Sequence, residues 1–282
     1  MDIQLGNQRL LVLSERLSFE DIRQRAMDRR AQAIASGIGG LLQRPKTDDI
    51  THIATQRRLE PFWHVACHSL YVYERTRPYA VQASALEVQA VTVLGQTFNV
   101  VAQGGPARTF TLPVLELCRE ESTRETFSDG VTGAPVPDGA VMISGPSTEV
   151  ADPTTLSADG TVAVPPEHHA SFVVRKLLSE MLKPVQADSV QEESLVLEKT
   201  DLYYRPVYAF EFHWVPKDKR GVLEIDGITG QMRQAQNLTT SLKGMVSRET
   251  LFDLGVDTAG LLIPGGNIAI KVARAAIDQQ RT

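Results

Sequence analysis

The chain has 282 residues, 42% hydrophobic and 22% charged, with a formal net charge of −5. That length and balance suit about two domains able to close their own cores, exclude disorder of the whole chain, and give no global pull toward nucleic acid. Two cysteines, Cys67 and Cys118, make no disulfide framework and point to a reducing compartment.

The apolar patch at residues 10–13 is too short for a signal-peptide core. No stretch reaches the roughly 18–20 apolar residues that span a bilayer, so a cytoplasmic location is expected. Residues 19–42 read as a helix, with Phe19, Ile22, Ala26, Ala33, Ile34 and Ile38 near one face and Ser18 as N-cap. A proline and a short acidic turn follow at 44–50. The stretch from Pro61 reads as a strand, with Trp63, Val65, Cys67 and Ser69 on one face and His64, Ala66 and His68 on the other. Residues 79–118 are rich in β-branched residues cut by glycine turns, and are expected to form inserted hairpins. Asp129-Gly-Val-Thr-Gly then makes a tight turn, closed by an Asx contact and by the positive φ that glycines allow.

Residues 134–167, dense in proline and glycine, read as a linker with a short strand at 140–143. Beyond it the same order recurs. A helix over 169–183 carries Phe172, Val173, Leu177, Leu178, Met181 and Leu182 on one side, and a proline and acidic turn follow. Pro206 aligns with Pro61 without a gap, setting Tyr208, Phe210, Phe212 and Trp214 against Ala209, Glu211 and His213. Asp226-Gly-Ile-Thr-Gly closes this half as Asp129-Gly-Val-Thr-Gly closes the first. Each apolar strand face is expected to pack on the helix preceding it. Polar faces are left for solvent or a partner.

The strand at 205–214 and the run from Leu223 to Gln231, ending in Asp-Gly-Ile-Thr-Gly, resemble the closing strands of the PepSY family. The resemblance covers about residues 169–233, with a weaker, insertion-bearing copy at about 19–134. It implies a helix-plus-sheet binding or inhibitory module, and brings no catalytic residues or cofactor.

The expected fold is therefore α+β: two related modules, each a helix packed on an antiparallel sheet. Residues 1–133 form the first, 134–167 the linker, 168–246 the second, and 247–282 a C-terminal helical tail. In that tail Ser247 caps a short helix through Phe252, Asp257 a second, and Asn267 a last helix with Ile268, Val272, Ala275 and Ala276 on its apolar side.

Chemistry is sparse. His64, Cys67 and His68, with His213 and Cys118 further off, raise a zinc site, but on a strand Cys67 points away from both histidines. Cys118 lacks a base beside it in sequence. The glutamate pairs at 120–121 and 192–193 diverge on strands. The arginine run on the first helix (Arg23, Arg25, Arg29, Arg30), with Arg57 and Arg58, suits an exposed face. No nucleotide-loop, serine-hydrolase or zinc-protease signature occurs. The expected function is non-enzymatic binding or scaffolding through sheet faces or edges, toward a protein partner or by self-assembly. His64, His68, Glu211 and His213 are the candidate surface. Asp129, Gly130, Gly133, Asp226, Gly227 and Gly230 are structural turn residues. Two alternatives remain: a metal-dependent enzyme or sensor using His64, His68 and His213, and a membrane-peripheral protein using residues 247–280.

Overall fold

The computed structural model describes residues 6–35, 45–102, 108–182, 184–235 and 247–254, and the backbone of 2–5 and 273–274. Two long strands form its axis. β2 (Ile50–Gln82) pairs antiparallel with β9 (Ser189–Trp214), and Glu60 faces Arg205. One edge of β9 pairs first with β1 (Asp2–Leu13), in parallel, and then with β10 (Lys219–Asp226), which β11 (Met232–Ala235) extends. The far edge of β2 pairs with β8 (Val162–Ala163) and then with β6 (Arg108–Asp129). β7 (Ser147–Glu149) and β12 (Ala273–Arg274) join β1, and β5 (Val101–Ala102) joins the start of β6, completing a ten-stranded mixed sheet.

One sheet of this kind overturns the two helix-on-sheet modules. The helices are short and they cross over. α1 (Phe19–Asp28) and α2 (Arg30–Ile34) precede β2, yet Ile22, Ala26, Ala33 and Ile34 pack on Tyr208, Phe210, Phe212, Leu223 and Ile225. α4 (Ala170–Met181) precedes β9, yet its Val173, Val174, Leu177 and Leu178 pack on Trp63, Val65 and Cys67, together with Leu195, Leu197 and Tyr204. Periodicity names the apolar face correctly. It does not say which strand that face will meet.

The matched segments occupy equivalent places about a two-fold axis through the Glu60–Arg205 pair. Pro61 faces Tyr204 and Leu59 faces Pro206. The bulge that skips Ile53 in β2 has its counterpart at Glu198 in β9. Phe62 pairs with Asp129 as Val207 pairs with Asp226. Each proline lies where the outer neighbour changes, from β8 to β6 at Pro61 and from β1 to β10 at Pro206. A residue without an N–H therefore interrupts no ladder there, and two prolines are tolerated in central strands.

Residues 134–167 are woven into the fold. β7 and β8 come from this stretch, and residues 140–143 form part of a helix, α3 (Gly139–Ile143), in place of the expected strand. Met142 and Val136 join Leu11, Leu13, Phe62, Tyr203 and Ile228 in a core on the sheet face opposite α1 and α4. In the C-terminal segment Ser247 caps α5 (Arg248–Phe252) as expected, its hydroxyl accepting from the Thr250 N–H. The second tail helix and most of the last lie outside the described residues. Ala273 and Arg274, expected to be helical, instead pair in parallel with Gln4 and Leu5.

The inserted hairpin is present: β3 (Ala90–Val93) and β4 (Gln96–Asn99), joined at Leu94 and Gly95, both with positive φ. The 33-residue β2 and its partner β6 run on as a long arm toward it.

Candidate functional site

The two Asp-Gly-x-Thr-Gly turns are the same structure twice. Asp129 Oδ1 accepts from the N–H groups of Val131 (3.0 Å) and Thr132 (2.9 Å), and Asp226 Oδ1 from those of Ile228 (2.8 Å) and Thr229 (2.9 Å). Gly133 and Gly230, at φ +68° and +71°, supply the left-handed residue. Gly130 and Gly227 have no positive φ. They are needed for close approach, because a Cβ on Gly130 would lie 2.9 Å from the Pro61 side chain and one on Gly227 3.1 Å from the Pro206 carbonyl oxygen. The Gly227 carbonyl accepts from Arg16 and Leu17, at the entry to α1. The Gly130 carbonyl accepts from Glu167 and His168, at the entry to α4.

Between the turns lies a cluster of charge. Arg205 donates to Glu60 (3.2 Å) and stands 3.8 Å from Asp129 and 3.7 Å from Asp226. Arg233 bridges Glu60 and Glu224, and Glu224 also receives Arg58. Arg58, Glu60, Glu224 and Asp226 are all buried. Such pairing is what makes interior charge tolerable. The charged groups are paired with one another about the two-fold axis, while the buried Arg205 Nε has no hydrogen-bond partner among the described residues.

The four residues expected to form a surface do not converge. His64 is buried, stacked on Phe127 at 4.4 Å and hydrogen-bonded through Nε2 to Glu125 (2.9 Å). Its ring is hidden because β6 brings Phe127 beside it. His68 contacts Thr123 (3.0 Å) and Glu121 (3.3 Å). Glu211 and His213 lie toward the other end of β9, bonded to Arg220 (3.5 Å) and Asp218 (2.8 Å). His213 faces Thr51, thirteen positions along β2 from His64. At about 3.3 Å per residue the two are roughly 43 Å apart, so they share no metal. Among the described residues no group of three His, Cys, Asp or Glu side chains is placed to hold a metal ion.

Cys67 is buried and its thiol is pushed up to about 12 by desolvation, the reverse of what a nucleophile needs. Four of the six arginines in the basic run are spent internally or at the surface of their own helix. Arg57 binds Glu15, Arg58 binds Glu224, Arg30 binds backbone carbonyls and Arg23 pairs with Glu20.

The arm carries what the sequence left unmarked. On one face Tyr73 donates to Glu120 (2.5 Å), while Arg75 and Tyr79 both donate to Glu116 (2.6 Å each). On the other face Leu115 and Leu117 are exposed, at 62% and 70%. Among the described residues the outer edge of β6 is paired only by β5 at Arg108 and Thr109 and by a bridge from Ser128 to Pro135. The intervening stretch is an unpaired edge dominated by charge, Arg119-Glu-Glu-Ser-Thr-Arg-Glu125. Its only signal in the sequence was that run of solvated residues on a strand.

No protein-family model matches this chain. No curated protein and no solved structure matches it either. No helix among the described residues is long and apolar enough to cross a membrane.

Proposed function

We propose that this chain is a non-enzymatic binding or scaffold protein of the cytoplasm, and that its working surface is the outer edge of β6. The observation that carries the reading is the length of that edge: residues 110–126 lack a strand neighbour on one side, among the described residues. An added strand would satisfy the outward N–H and C=O groups by main-chain hydrogen bonding, with specificity from alternate side chains. The exposed Leu115 and Leu117 offer apolar contact beside it. The PepSY resemblance of residues 169–233 supports binding over catalysis. The free thiols of Cys67 and Cys118 support a reducing compartment.

Hydrogen exchange tests the reading. In the purified chain the outward amides of β6 at residues 115–125 should exchange quickly, and a bound protein strand should slow them selectively. Partners that protect only other strands, with β6 unchanged, would refute it.

A further inference from the structure

We infer that the strand added to β6 is β6 of a second copy of this chain, antiparallel and centred on Ser122. The inference rests on the edge-binding reading above and names its partner. Two independent features of the edge carry it.

The first is hydrogen-bond parity. On the outer side of β6 the Phe127 carbonyl accepts from the Val136 N–H (3.0 Å), and the Asp129 N–H donates to the Ala134 carbonyl (2.8 Å). The pairing of β6 with β2 runs from Asp129 to Thr109 without a register shift. Odd-numbered residues therefore turn their backbone polar groups outward along the edge, except that Pro113 presents only a carbonyl. An antiparallel self-pairing centred on Ser122 sets Glu121 opposite Thr123, and Arg119 opposite Glu125, of the other copy. Both are pairs of outward-facing residues, which a narrow hydrogen-bonded rung requires. Ser122 then faces its own counterpart across a non-hydrogen-bonded position.

The second is charge. The same register places Arg119 against Glu125 and Glu120 against Arg124, each pair occurring twice by symmetry. No like charges meet. Sliding the register by one residue in either direction brings Arg119 against Arg124, or Glu120 against Glu125, and opposed like charges destabilise a sheet pair. Arg124 has no carboxylate partner among the described residues, and Glu125 is half-exposed although it holds His64. Residues 118–126 are clear of the Phe127–Val136 contact that ends the edge.

Light scattering coupled to size exclusion, with cysteine cross-linking, tests this on the full chain. In a Cys118→Ser background, Ser122→Cys should give a disulfide-linked dimer on mild oxidation with diamide. Facing Cα atoms at a non-hydrogen-bonded position lie ~4.5 Å apart, within disulfide range. Thr126→Cys, which faces residue 118 in this register, should not cross-link. Arg124→Glu should weaken the dimer on the order of tenfold or more, and Glu120→Arg combined with Arg124→Glu should restore it. A monomeric chain whose Ser122→Cys variant stays unlinked overturns self-pairing. If β6 amides are nonetheless protected by a foreign strand, edge binding survives without it. Equal cross-linking at 122 and 126, or a dimer indifferent to Arg124→Glu, overturns the register.

Discussion

Aspartate and glycine at the two turns illustrate what single residues impose. Each carboxylate closes a loop of four residues, so the chemistry is local and was readable directly from Asp-Gly-x-Thr-Gly. The different roles of the two glycines were not, because the proline wall that excludes a Cβ belongs to a distant strand. His64 is hidden for the same reason. Alternation put it on the polar face, but Phe127 closes over it from β6. Replacing Asp129 or Asp226 by alanine should cost about 2 kcal/mol each, for two charge-assisted bonds to backbone amides. The Asp226 variant should suffer more, since that carboxylate is buried against Arg205. Urea midpoints that do not move in either variant would refute this account of the turns.

Helix faces were legible at the scale of elements because they depend on a period of 3.6 residues. Their partners were not, because crossing over to the other half leaves no trace in the pattern. The stretch at 140–143 is too short for any period to separate strand from helix, and in the helix it forms Met142 is the buried residue. α5 gives a direct test of element docking. Leu251 is buried and the Phe252 ring meets the Trp63 indole edge-on at 5.4 Å. A chain ending at residue 246 should lose roughly 2–5 kcal/mol by analogy with large-to-small core changes. Its Trp63 fluorescence should shift to the red. Unchanged emission would mean that α5 does not shield the indole. In the arm, the hydroxyl of Tyr79, and then Arg75, hold the Glu116 carboxyl below its ordinary range. A depressed folded value means stabilisation that is present above the unfolded carboxylate pKa and is lost as pH falls through the folded one. Acidification through that window should lower the protection of the amides over residues 109–116, measured against the intrinsic exchange rate at each pH, and Glu116→Gln should flatten the dependence. An equally steep profile in Glu116→Gln would assign the effect elsewhere.

Across the whole molecule, the recurring order of helix, proline, strand and turn was visible in the sequence, but its spatial meaning was inverted. The sequence reads as two helix-on-sheet modules with a linker between them. Instead they share one sheet, with Glu60 and Arg205 on the axis and residues 134–167 supplying strands to it. No local pattern encodes such interleaving, since every contact that defines it joins residues far apart in sequence. The Arg205→Met variant measures its importance. It leaves Asp129 and Asp226 facing each other across the axis without their shared cation, and should destabilise the fold by about 3–5 kcal/mol, the usual cost of breaking a buried ion pair from one side. A loss under about 1 kcal/mol in chemical denaturation would reduce the cluster to surface-like electrostatics.

The parallel pairing of β1 with β9 has a consequence during synthesis. Arg9 reaches Asp201 across 192 positions of chain, and Leu10 lies in a core completed by Leu195, Leu197 and Leu202. At about 5–20 residues per second, the first strand waits on the order of ten to forty seconds for its neighbour to leave the ribosome. From the completion of β2 until the later elements are made, β2 has no β9 beside it, and Trp63, Val65 and Cys67 have no α4 to cover them. The apolar strand faces therefore stay uncovered for many seconds of synthesis, and the soluble yield on expression is expected to fall when chaperones that hold apolar segments are depleted.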